Sequence, residues 1–150
     1  MQQDTSALSY YRLCIAVQRI NRIISRRLDE VLRPPELTSQ QMIVLGVIAQ
    51  EKSIRLTAIA HSIGKDQATV TANLRPLIVR SLVHTTVDEE NRRVRVAALT
   101  AEGEALHKRG RLMVEPFDSE LMLQLGEPEV TNKLHNTLAL FGGSGGILNE

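Results

Sequence analysis

The chain has 150 residues, 43% of them hydrophobic, with a formal net charge of +1 and a single cysteine. That length suits one compact domain, residues 1–150, with extended termini, and makes a second full domain unexpected. One cysteine excludes an intramolecular disulfide, no apolar run approaches the roughly 20 residues that span a bilayer, and Asp4 followed by Arg12 is not a secretory signal, so a cytoplasmic protein is expected.

A first helix is predicted over residues 6–33, because Leu13, Val17, Ile20, Ile24, Leu28 and Val31 recur at spacings of three and four, close to a heptad seam. Pro34 and Pro35 stop it. Thr38, with Gln41 three residues later, is a capping-box signature for a second helix to about Gln50, whose buried face is Met42, Leu45 and Ile48 or Ala49. A short helix follows over Thr57–Ile63, with Thr57 as N-cap and Gly64 as its stop.

After one turn, Lys65, Asp66 and Gln67 open another helix with Asp66 as N-cap, and Val70, Leu74, Leu77 and Ile78 repeat at helical spacing to bury one face. The other face is left with Gln67, Thr69, Thr71, Asn73 and Arg75, side chains able to hydrogen-bond to base edges and phosphates. This division is what a recognition helix in a DNA major groove needs. Pro76 removes the amide that would bond the carbonyl of Ala72, so a slight bend is expected, read either as a tilt into the groove or as a tolerated irregularity.

From Leu82 the period changes to alternation, in Val83–Val87 and Val94–Ala98, around the polar run 88–92, which predicts a β-hairpin. Leu99, Thr100, Ala101, Glu102 and Gly103 then start a helix capped by Thr100, with Leu106, Leu112 and Met113 apolar and Pro116 expected to kink or divide it. A last helix is predicted from Glu127 and Pro128, carrying Val130, Leu134, Leu138 and Phe141. The glycine-rich residues 142–150 read as a flexible tail.

Charge is unevenly divided. Residues 55–95 carry seven basic groups against four acidic ones, which is +3, whereas residues 101–150 carry four against eight, which is −4. A basic centre with an acidic tail concentrates attraction for phosphate on one surface. The amphipathic helices at 6–33 and 101–141 cannot all bury their apolar faces against a 45-residue centre, so a partner surface is implied. The simplest is a second copy, which sets two recognition helices roughly one helical turn of DNA apart; a monomeric bundle is the alternative.

The ordered series Leu56-Thr57-Ala58-Ile59-Ala60, Thr69-Val70-Thr71, Leu74, Leu77, Ser81-Leu82-Val83, Arg92-Arg93 and Leu99-Thr100 resembles the MarR family of winged-helix transcriptional regulators over residues 8–140. The resemblance implies a mainly α fold with a small β-hairpin: a winged helix-turn-helix over residues 38–100 between long dimerisation helices at 6–33 and 101–141. It implies an obligate homodimer that represses by covering a near-palindromic double-stranded DNA operator. Release would come from a small phenolic or carboxylate effector, or from cysteine oxidation. The DNA-binding residues it marks are Lys65, Gln67, Ala68, Thr69, Thr71, Arg75, Arg92, Arg93 and Arg95, with Gln67 suited to adenine, Arg75 to phosphate or guanine, and Arg93 to the minor groove. The family usually carries Asp two residues before that wing arginine; here Asn91 stands there, which leaves Asp88 or Glu90 to hold the guanidinium.

Cys14 lies where the organic-hydroperoxide-sensing, OhrR-like branch of that family carries its reactive cysteine. Leu28 and Ser39 stand where that branch commonly has phenols, although Tyr10 and Tyr11 are on the same helical side. Two readings follow: a redox sensor, or an inert thiol in an apolar helix. An enzyme is disfavoured, because His61, His84, His107 and His135 show no metal-ligand spacing and no phosphate-binding glycine loop is present, so neither metal nor cofactor is expected. The rival non-enzymatic reading is a winged helix that docks another protein.

Overall fold

The computed structural model describes the backbone of residues 5–126 and 128–142, and the side chains of residues 11–124, 126 and 128–137. Helices α1 (Thr5–Val31) and α2 (Ser39–Glu51) are followed by strand β1 (Ile54–Arg55) and helices α3 (Leu56–Ser62) and α4 (Gln67–Val79). The hairpin strands β2 (Val83–Val87) and β3 (Arg95–Leu99) then lead into α5 (Ala101–Leu125) and α6 (Pro128–Gly142). The fold is thus mainly α with a small antiparallel sheet of order β1-β3-β2. The glycines from 143 to 146, expected to be flexible, lie outside the described residues, as do the side chains of Leu138 and Phe141.

Caps fix where the helices begin. At α2 the capping box forms: Gln41 N–H donates to Thr38 Oγ1 and Thr38 N–H to Gln41 Oε1, both at 3.1 Å. Asp29 of α1 adds a third contact, its Oδ1 accepting from Ser39 N–H at 2.6 Å, so a carboxylate sits at the positive end of α2. At α4 both Asp66 oxygens are used, Oδ1 by Thr69 N–H at 2.8 Å and Oδ2 by Thr69 Oγ1 at 2.7 Å. Thr57, expected to cap α3, instead lies within its first turn. Arg55 holds the cap position without a side-chain bond, because β1 pairs Ile54 with Ala97 and Arg55 with Val96 and the chain passes directly from strand to helix. A two-residue strand is too short to leave a periodicity in sequence.

The hairpin pairs Val83 with Leu99, Thr85 with Ala97 and Val87 with Arg95. Its second strand starts at Arg95 rather than Val94, because Val94 N–H is taken at 2.8 Å by the carbonyl of Asn91 to close the turn. Neither internal proline interrupts its helix: α4 runs through Pro76 and α5 through Pro116. Ala72 and Leu112, whose carbonyls lose a partner, are exposed residues, so water can replace the missing amide. Of the two outcomes expected at Pro116, a kink or a division, the division does not occur.

All fully buried apolar side chains among the described residues fall between Leu32 and Ala97. Leu45 and Ile48 of α2, Leu56 and Ile59 of α3, and Val70, Leu74 and Leu77 of α4 share one core with Val83 and Ala97 of the sheet and with Leu82 just before it. Ile78, expected in that face, is 39% exposed, because it lies one residue beyond Leu77 and rotates about 100° away from the core. Leu13, Val17 and Ile20 of α1, with Leu134 of α6, are 44–56% exposed, so the long helices present unpartnered apolar faces.

The corner from β3 into α5 is knotted by one threonine. Thr100 Oγ1 donates to the Ser81 carbonyl at 2.6 Å and accepts from Gly103 N–H at 3.0 Å, while Thr100 N–H donates to the Leu82 carbonyl at 3.1 Å. A Cβ on Gly103 would run into that same Leu82 carbonyl oxygen. Gly103→Ala is therefore expected to destabilise the protein by roughly 1–3 kcal/mol, read as a lower midpoint in urea denaturation; an unchanged midpoint would show that the corner can open to admit a methyl group.

Candidate nucleic-acid interface

Two elements build a concave surface around the exposed face of α4. Gln67, Thr71, Arg75, Ile78 and Val79 of that helix form one wall, and Thr85 and Arg95 of the hairpin form the other, over a floor that includes Leu56 and Leu74. The groove thus gathers Gln67, Thr71, Arg75 and Arg95 of the expected DNA-binding residues. Lys65 and Ala68 are exposed at the start of α4, and Arg92 and Arg93 are exposed in the hairpin turn. Thr69 is half-buried with its hydroxyl committed to Asp66.

Not every polar group on this face is free to donate. Thr71 Oγ1 donates to the Gln67 carbonyl at 2.8 Å and Asn73 Nδ2 to the Thr69 carbonyl at 3.1 Å, which leaves acceptor capacity on Thr71 and Asn73. Arg75, Arg92, Arg93 and Arg95 enter none of the ion pairs formed among the described residues. Arg75 and Arg95 in the groove, and Arg92 and Arg93 in the hairpin turn, present donors suited to phosphate or guanine.

The hairpin turn is organised by an acid that does not hold the wing arginine. Asp88 Oδ1 accepts from Glu90 N–H at 2.9 Å and Asn91 N–H at 3.3 Å, while Oδ2 takes Arg55 Nε at 2.9 Å. Asn91 Oδ1 accepts from the Arg93 backbone N–H at 3.1 Å. The expectation that Asp88 or Glu90 would grip the Arg93 guanidinium is therefore corrected: Asp88 is occupied by Arg55 and the turn, and Glu90 forms no such pair. Bonding to the Glu90 amide, and then to Arg55, holds the Asp88 carboxyl below its ordinary value. The Thr69 hydroxyl and amide do the same for Asp66. Nothing in the sequence connects Arg55 to Asp88, 33 residues apart; the pairing of both β1 and β2 with β3 brings them together.

A second concavity, of about 720 Å³, opens where α1, α2 and α5 meet. Leu28, Met42, Ile43, Leu112 and Val114 give it apolar walls, with His107, Lys108 and Arg111 beside them and the acids Glu115 and Asp118 on the same lining. His107 Nε2 lies 3.5 Å from where a Cβ on Gly46 would stand, so the imidazole packs against α2. Burial first, and then the charge of Arg111, holds the His107 pKa below its ordinary 6.5. Cys14 lies elsewhere, half-buried on α1, and its thiol has no hydrogen-bond partner among the described residues.

No family model and no curated protein matches this sequence. Solved structures do. A mutant MarR from E. coli complexed with operator DNA superposes with a TM-score of 0.77 at 22% identity, covering 91% of this chain and 97% of that one. The M. tuberculosis regulator MosR in complex with DNA gives 0.72 at 26% identity over 83% and 91%. CouR from Rhodococcus jostii, bound to p-coumaroyl-CoA, gives 0.79 at 22% identity over 88% and 92%. The fold is that of the MarR-family winged-helix regulators. Within this MarR fold α4 is the second helix of the helix-turn-helix and the β2–β3 hairpin is the wing.

Two titrations follow from the carboxylate and imidazole environments. Because the Asp88 pKa is lowered, its bonds persist as pH falls through the ordinary carboxylate range and are lost only below it. The Glu90 and Asn91 amide NMR shifts should accordingly titrate with a midpoint below 3.8, and lose that titration in Asp88→Ala. A midpoint at or above 3.8 would remove the bracket. His107 behaves oppositely: with its folded pKa below 6.5, the unfolded chain takes up a proton first, so stability declines as pH drops below about 6.5. His107→Gln should flatten that part of the stability profile in denaturation measured between neutral and mildly acid pH.

Proposed function

We propose that this chain is a sequence-specific, double-stranded-DNA-binding transcription regulator, acting as a cytoplasmic homodimer that represses its target. The observation that carries this reading is the groove between α4 and the wing, where Gln67, Thr71, Arg75 and Arg95 converge with unpaired arginines. Lys65, Ala68 and Thr69 flank it at the helix start, and Arg92 and Arg93 project from the turn. An α-helix fits the major groove and an arginine-bearing hairpin suits the adjacent minor groove. MarR and MosR, which share this fold, are bound to DNA in their structures. The exposed apolar faces of α1 and α6 supply the surface for a second copy.

Release is assigned to a small ligand in the α1–α2–α5 cleft. Its apolar walls suit an aromatic ring, and its mixed polar lining of Lys108, Arg111, Glu115 and Asp118 offers both donors and acceptors to a phenol or a carboxylate, the phenolic or carboxylate class. CouR, with the same fold, holds p-coumaroyl-CoA. Release by organic hydroperoxide through Cys14 rests on the place of that residue in α1 alone, and the side chain of Tyr10, one of its two candidate supports, lies outside the described residues. A protein-docking role for the α4 face is also less well supported, because four free guanidiniums favour a polyanion over a protein surface.

Gel-shift titration on duplex from the chain's own upstream region, over a range of salt, tests the reading. Each phosphate neutralised should steepen the fall of log K with log salt by about 0.9. Arg75→Ala and Arg93→Ala should each weaken specific binding by roughly 1–3 kcal/mol if they reach bases, or weaken all sequences alike if they reach phosphate. Wild-type affinity in both variants would show that the groove is not the DNA surface.

A further inference from the structure

The exit of the recognition helix is tied to the turn between α1 and α2 by one side chain. Arg80, at the C-cap of α4, donates from Nη1 to the Glu36 carbonyl at 2.6 Å and from Nη2 to the Pro35 carbonyl at 3.1 Å. Glu36 has φ 55°, and its amide is held by the Arg33 carbonyl at 3.0 Å. Both carbonyls belong to the turn between α1 and α2, past the last helical residue Val31, so Arg80 satisfies two turn acceptors from another helix. Arg80 forms none of the carboxylate ion pairs among the described residues.

Leu32 and Leu37 already anchor this turn in the core. Apolar burial is non-directional, however, and fixes proximity better than angle. A planar guanidinium on two successive carbonyls fixes angle as well, since its two donors have a rigid fork geometry. We propose that Arg80 is a positioning residue that sets the orientation of α4 relative to α1, and through it the spacing at which a dimer engages two DNA half-sites. This rests on the dimeric DNA-binding reading above. Because Leu28 and Ser39, on either side of the same turn, line the α1–α2–α5 cleft, Arg80 also places the recognition helix in mechanical contact with the element a ligand there would press upon.

Two measurements on the full-length protein decide it. In the first, nitroxides at Gln18→Cys and Ala72→Cys in a Cys14→Ser background, diluted with unlabelled protein, report the α1–α4 distance within one chain without DNA. A single narrow distribution is expected with Arg80, and a broadened or shifted one in Arg80→Ala, with Arg80→Lys intermediate because an ammonium restores charge without the fork. In the second, selection from a random duplex library should yield one half-site spacing for the wild type. Arg80→Ala should keep the same half-site sequence, spread over several spacings, and bind the wild-type spacing about tenfold more weakly, as expected for loss of charge-assisted bonds. A purely structural role would instead lower the melting temperature and weaken every spacing alike. An unchanged distance distribution together with an unchanged single spacing overturns the proposal. If the wild type enriches no duplex, the DNA-binding reading fails, while the distance measurement still judges the tie between α1 and α4.

Discussion

Burial of Val70, Leu74 and Leu77 is the contact on which the rest of this molecule leans. These three residues press one face of α4 against α2, α3 and the start of the hairpin. Each such side chain contributes roughly 1.5–3 kcal/mol when taken fully from water. Holding one face that firmly leaves Gln67, Thr71 and Arg75 projecting from a rigid support. The neighbouring elements follow from the same need. Asp66 begins the helix at a fixed residue, α3 covers its flank, and the sheet closes the far side of the core.

Polar contacts divide differently from apolar ones. The two pairs of Glu30, with Arg26 and Arg27, lie at the surface and contribute little to net stability. The bracket of Asp88 with Arg55 is better understood through direction. It joins the turn of the wing to the strand leading into α3, so that both halves of the groove share one frame. Asn91 serves the same turn by accepting from the Arg93 amide, which leaves the Arg93 guanidinium outside the bracket.

Much of this was legible in the sequence, and the misses have a common cause. Local signals were sufficient where the physics is local: the Thr38–Gln41 box, the Asp66 and Thr100 caps, and the alternation of β2 all depend on residues within a few positions. The two-residue strand β1 had no such signal, because it exists only through pairing with β3. Its absence from the sequence reading accounts for the misplaced cap at Thr57 and for the unseen Arg55–Asp88 contact. The division expected as one outcome at Pro116 fails because an exposed proline leaves its orphaned carbonyl to water. The groove residues were readable as a polar face, but that Arg95 would stand opposite Arg75 depended on the hairpin folding back beside α4.

The bare apolar faces of α1 and α6 have a consequence for the protein's abundance. In the dimer proposed above, the folded population of the chain rises with its own concentration. At low copy number the lone chain displays the kind of surface that chaperones and proteases recognise. Synthesis rate then governs two quantities together, the number of molecules and the fraction of them that endure, so a modest change in expression is amplified into a steeper change in lasting protein.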